Sequence, residues 1–202
     1  MTWSDFLNIL FGAVIGFLLS IFTTIINFAL ERKGKLKIYY KIYTSENLTE
    51  EFGFSFEAQK IAFIVPITFE MQNTSNSSRV IRDLSIHLFN KGNDFKKMRQ
   101  VGKAVNERTT DGVVVSHSEQ EFGTYNNSYS FVIPARSIRN HRCVYMYVIE
   151  KDESNKNQFD EIKLSYYDEN DRKHLFDIRM IPKCWEKNNK LDVDSDWVLA
   201  SK

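Results

Sequence analysis

Between Phe6 and Leu30 the chain carries 25 consecutive residues without a charged side chain. A helix of about 20 such residues spans the hydrocarbon core of a bilayer. The run follows a flank of only five residues (1–5), has no basic segment before it, and ends at Glu31-Arg32-Lys33-Gly34-Lys35 without a small-residue cleavage site. That pattern predicts a retained transmembrane helix over 6–30, not a removable signal peptide.

The charges around the span give it a direction. Asp5 is the only side-chain charge before it, whereas Arg32, Lys33, Lys35 and Lys37 follow it in a basic juxtamembrane segment, 31–37. Lys and Arg close to a span stay on the cytoplasmic side, so the expectation is a single-pass protein of the cell membrane with its N-terminus outside and its C-terminal domain in the cytoplasm. The opposite orientation would place the sequons at Asn47, Asn73, Asn76 and Asn126 in a glycosylating lumen, but Asn- and Ser-rich turns produce such matches by chance and the charge bias decides. Trp3, Tyr39 and Tyr40 stand where aromatic side chains anchor at headgroups; for the two tyrosines a place in a strand core is an equal alternative.

Setting aside the first thirty residues, with their single acid, leaves 27 basic against 25 acidic side chains, a net charge of +2. Bulk charge therefore does not imply a nucleic-acid protein. The remaining 172 residues suit one domain with a sizeable core. Cys143 and Cys184 form no C-x-x-C pair, and in a reducing compartment they read as buried thiols.

Beyond residue 35 the apolar pattern is mostly period two, the signature of strands. Val65, Ile67, Phe69 and Met71 alternate with Pro66, Thr68, Glu70 and Gln72, and after Asn73-Thr74-Ser75-Asn76-Ser77-Ser78 a second run, Val80 to Phe89, places Leu84, Ile86 and Leu88 on one face. The polar stretch between them has turn chemistry, so the pair reads as a hairpin-like unit. Further strands are expected at 36–43, 113–116, 129–133, 142–150, 161–167 and 173–181, with a loop at 167–172 joining the last two. Residues 95–105 are read as a short helix, and 184–202 as a loose polar extension whose strong packing groups are Trp185 and Trp197. These signals predict an all-β fold: an antiparallel immunoglobulin-like sandwich, or a small barrel, over 38–183, behind one N-terminal transmembrane helix.

Within the span, Gly12, Gly16, Ser20 and Thr24 recur every four residues on one helix face. Small residues let two helix backbones approach, and close packing drives association in lipid, so this face is a candidate for self-association into a homo-oligomer. Lys96, Lys97, Arg99 and Lys103, flanked by Lys91 and Arg108, are candidates for contact with the phosphates of nucleic acid or anionic lipid, against a plain solvated face. Tyr125 to Tyr129 has the composition of a recognition loop. Asp192, Asp194 and Asp196 resemble the opening of a calcium loop but lack its glycine and its closing glutamate. His87, His117, His141 and His174 show no ligand or dyad spacing, and neither a glycine-rich phosphate loop nor a G-x-S-x-G elbow occurs.

The sequence thus names no metal, cofactor or catalytic residue. It favours a membrane-anchored cytoplasmic module that binds a protein or small ligand through loops and edge strands. A second reading is a membrane-anchored sensor-effector, for example of a bacterial phage-defence type, whose β domain recognises nucleotide or nucleic acid. The third, an anchored hydrolase, has no motif in its favour.

Overall fold

A computed structural model of the chain describes residues 3–31, 34–43, 52–108, 114–119, 130–186 and 191–200. Helix α1 (Trp3–Glu31) is continuous, and its segment Leu10–Phe28 is long and apolar enough to cross a membrane, with no part of it buried against the rest of the chain.

The strands are β1 (Leu36–Ile42), β2 (Gly53–Phe56), β3 (Lys60–Asn73), β4 (Arg79–Asn90), β5 (Asn93–Lys97), β6 (Arg99–Arg108), β7 (Val114–Glu119), β8 (Ser130–Ile133), β9 (Ser137–Glu150), β10 (Glu161–Tyr167), β11 (Lys173–Met180) and β12 (Val198–Leu199). They form two antiparallel sheets. One runs β12-β1-β3-β9-β6-β7, with β2 also paired to β3; the other runs β11-β10-β4-β5, with β8 also paired to β4. Among the described residues the sheets do not close into a barrel, which sets the barrel alternative aside.

Alternation explains how the two sheets share one core. Phe63, Val65, Ile67, Phe69 and Met71 of β3 are fully buried, as are Ile86 and Leu88 of β4 and Ile162 and Leu164 of β10, all in one apolar cluster. Each such side chain contributes about 1.5–3 kcal/mol on leaving water. Two tyrosines reach across between the sheets: Tyr145 Oη donates to Leu84 O at 3.0 Å and Tyr40 Oη to Ile178 O at 3.1 Å. Tyr40 is therefore core, and burial, with Asp194 nearby, raises its pKa above the usual 10.0.

Pro66 sits inside the longest buried strand, where a missing N–H would normally break a ladder. β1 and β2 share one edge of β3, β1 ending opposite Ile67 and β2 beginning opposite Ile64. Pro66 falls in the gap between them, and its carbonyl accepts from Tyr43 N at 3.2 Å.

Three expectations are corrected. First, β3 and β4 are not a hairpin, because β3 pairs with β1, β2 and β9 while β4 belongs to the other sheet. Residues 73–78 are an arch between sheets, organised by Asn73, which is 2% exposed. Its Nδ2 donates to the carbonyls of Ser77, Ile133 and Pro134 at 2.9, 3.1 and 2.9 Å, and its Oδ1 accepts from Ser75 N and Oγ at 3.0 and 2.6 Å. Second, 95–105 is not a helix: the chain passes from β5 on one sheet to β6 on the other, turning at the buried Met98. Pairing along both sheets outweighs the weak local helical spacing. Third, the described part of 184–202 is tied down. Trp185 is buried and its Nε1 donates to Asn157 O at 2.7 Å, Ile42 N donates to Asp194 Oδ2 at 2.8 Å, and β12 pairs with β1. β2, absent from the sequence reading, brings Phe54 against Phe63, Phe159 and Trp185.

Candidate functional site

On α1 the small-residue face is open. A Cβ added at Gly12 or Gly16 would meet nothing within 4 Å, and the Thr24 hydroxyl donates to Ser20 O at 2.8 Å within the helix. Such a surface is smooth enough for a second helix. Arg32 and Lys33 lie outside the described residues. Lys35 and Lys37 are exposed at the entry to β1.

The basic segment is divided. Lys96 and Lys97 are on β5, opposite Leu88 and His87, and Arg99 begins β6, opposite Met146 of the other sheet. All three are exposed. Lys97 is held in an ion pair with Asp83, a residue that interrupts β4 with φ of 55°. Lys96 and Arg99 have no carboxylate partner among the described residues. The backbone of Lys103 is on β6, and its side chain is outside the described residues, as are Tyr125–Tyr129 and the sequons at Asn47 and Asn126.

Two histidine–carboxylate pairs emerge that residue spacing did not reveal. His87 Nδ1 lies 3.0 Å from Asp94 Oδ2 across the β4–β5 turn, and His174 Nε2 lies 2.8 Å from Asp168 Oδ2 across the β10–β11 turn. The His174 ring stacks on Tyr166 with centroids 4.8 Å apart. Burial would raise the Asp168 pKa, but hydrogen bonds from His174 and from the amides of Arg172 and Asn170 outweigh it and hold the carboxyl below its usual 3.8. Burial and the nearby Asp168 and Glu169 push Tyr166 up to about 12. Arg79 pairs with Glu169, and Arg82 with Asp171 at 2.8 Å. These groups stiffen a turn, and among the described residues no cluster of three or more His, Cys, Asp or Glu side chains is placed to hold a metal. Asp194 of the acidic tail pairs with Arg179, which accounts for that carboxylate. Cys143 is buried, and burial raises the Cys184 thiol to about 12.

The outer face of the seven-stranded sheet carries a shallow concavity of about 330 Å³. Ala62, Ile64, Met146 and Val148 form its floor, with Glu57 and Lys60 at the rim. It lies at the end where Lys60 pairs with Glu150. The arch, with Asn73 opposite Ser137, is at the other end of the same ladder, about 30–36 Å of strand from Ile64 and Ala62 at 3.3 Å per residue. No family model, no curated protein and no solved structure matches the chain.

Proposed function

We propose that the protein is a single-pass protein of the cell membrane, N-terminus outside, whose cytoplasmic domain is a non-catalytic binding module with an immunoglobulin-like sandwich. The observation that carries this reading is α1. Phe11, Phe17, Phe22 and Ile25 are each more than half exposed, at a cost in water of about 1.5–3 kcal/mol per side chain that a bilayer removes. The order β1-β3-β9-β6 over β5-β4-β10-β11 supports the immunoglobulin-like reading, since it runs as A-B-E-D over C′-C-F-G. Binding is argued by analogy with sandwiches in general, and the apolar concavity at the end of the domain away from the arch is the surface offered to a protein or small ligand.

The test is topological. Protease added outside intact cells is expected to spare residues 35–202, and changing Arg32, Lys33, Lys35 and Lys37 to acids is expected to weaken that protection. Digestion of the unmodified domain in intact cells refutes the orientation. The sensor-effector is the second reading, supported by Lys96 and Arg99, which stand exposed and without a carboxylate partner among the described residues.

A further inference from the structure

We propose that the loop end of the domain formed by residues 73–79, 134–137 and 168–172 faces the lipid headgroups, with Lys35 and Arg136 meeting anionic lipid phosphates; this rests on α1 being a retained span.

Chain geometry makes the first part of the case. Leu10–Phe28, 19 residues, gives about 28 Å of helix at 1.5 Å per residue, close to the thickness of a hydrocarbon core. α1 ends at Glu31, and only residues 32 and 33 separate it from Gly34. Gly34 is clamped to the arch: its φ is 120°, and a Cβ there would fall 2.5 Å from Thr74 O and 2.6 Å from Ser75 N. Lys35 N donates to Thr74 Oγ1 at 2.9 Å, and Thr74 N donates back to Lys35 O at 3.1 Å. Three residues of chain cover at most about 11 Å, so the arch cannot stand far from a headgroup layer that is itself about 5–7 Å deep.

The composition of that end makes the second part. Its acids are already engaged, Asp168 by His174, Glu169 by Arg79 and Asp171 by Arg82. Lys35 and Arg136 are exposed, with no carboxylate partner among the described residues. Arg136 is fixed in the left-handed region at φ 50°, its N–H on Ser75 O at 3.1 Å and its Nε on the neutral Asn76 Oδ1 at 2.7 Å. The uncompensated charge is positive, which matches the anionic cytoplasmic leaflet. Val132 and Ile138, 48% and 42% exposed, flank the same turn with apolar surface. Lys97, by contrast, is neutralised by Asp83, and Lys96 pairs with Leu88, about 30 Å along β4 from Arg79. At that height an exposed charge is about three Debye lengths from the bilayer. Lys96 and Lys97 therefore do not belong to the lipid-facing end.

The experiment uses the full chain in a Cys184→Ser background, with a fluorophore on Ser78→Cys in the arch or on Asn155→Cys at the opposite end. Vesicles of phosphatidylcholine, with or without about 30% phosphatidylserine, carry nitroxide-headgroup lipid as quencher. Quenching several-fold stronger at 78 than at 155 is expected. The Lys35→Glu/Arg136→Glu chain is expected to lose much of the quenching at 78 in anionic vesicles, each basic residue near such a surface being worth about fivefold in partitioning, while Arg136→Lys retains it. Flotation separates the two levels of the argument: a chain that does not float with vesicles refutes the span, and with it the proposal. A floating chain quenched equally at 78 and 155, or more at 155, overturns the facing surface alone. Quenching at 78 that survives charge reversal overturns the role of the two cations.

Discussion

Replacing Asn73 by Ala tests whether one side chain holds the arch between the sheets. The residue is 2% exposed and its side chain makes five hydrogen bonds, of which those to Ile133 O and from Ser75 N and Oγ are buried. The Ser75 hydroxyl has a second partner in Ser77 O at 2.8 Å, and the Ser77 and Pro134 carbonyls are only partly buried, so water can replace the lost bonds there. Two orphaned buried groups at about 1–3 kcal/mol each give an expected loss of roughly 3 kcal/mol. For a domain of this size that is about 6–12 °C in Tm. Urea unfolding of the full chain in detergent, followed by tryptophan fluorescence, reads it through the buried Trp185. Asn73→Asp keeps the shape and the bonds from Ser75 but turns an acceptor toward the carbonyls of Ile133 and Pro134, so it is expected to cost at least as much. Ser75→Ala is expected to lose about 1 kcal/mol, and the exposed Asn155→Ala less than about 0.5 kcal/mol. If Asn73→Ala unfolds within that last margin, the arch does not depend on this side chain and the reasoning fails.

On the helix, Gly12→Ile and Gly16→Ile are expected to reduce energy transfer between labelled spans in a membrane, and Val14→Ile much less, since it lies about 200° around the helix from either glycine; equal transfer in all four chains excludes the dimer. Changing Lys96 and Arg99 to Glu is expected to weaken any salt-sensitive binding of nucleic acid, and binding that is unchanged or never present returns these residues to a solvated face. For Asp168 the folded carboxyl is depressed below 3.8 by its hydrogen bonds, so its contribution to stability is present above that value and lost as pH falls through the lower folded one. Asp168→Asn is accordingly expected to flatten the acid limb of a plot of urea midpoint against pH from 6 to 2, and identical limbs refute the assignment.

The candidate surfaces were unequally legible. Gly12, Gly16, Ser20 and Thr24 needed only helical periodicity, which holds in the structure. Lys96, Lys97 and Arg99 were visible as a charge run, but the run is split between two sheets at Met98, and Asp83, fourteen residues from Lys97, neutralises one member. Arg136 carried no signal at all. It matters through Ser75 and Asn76, about sixty residues away, and only the fold brings them together.

The sequence by itself determined the long apolar N-terminal helix, the β class and most strand positions, because these depend on local quantities: the length of an uncharged run, and alternation that puts Val65, Ile67, Phe69 and Met71 on one face whatever their partners. Tertiary structure decided which strands pair. The polar stretch from Asn73 to Ser78 has the same turn chemistry in a hairpin as in an arch, and it became an arch because β1 and β9 occupy the two edges of β3, leaving β4 to pair with β10 in the other sheet. The same holds for the tail, where Trp185 stands out only as a packing group without a site and Asp194 looks solvated until Asn157, Ile42 and Arg179, 15 to 152 residues away, supply their partners. Hydrogen bonds and burial between segments that far apart leave no local periodic trace, so they are settled only when the chain closes on itself.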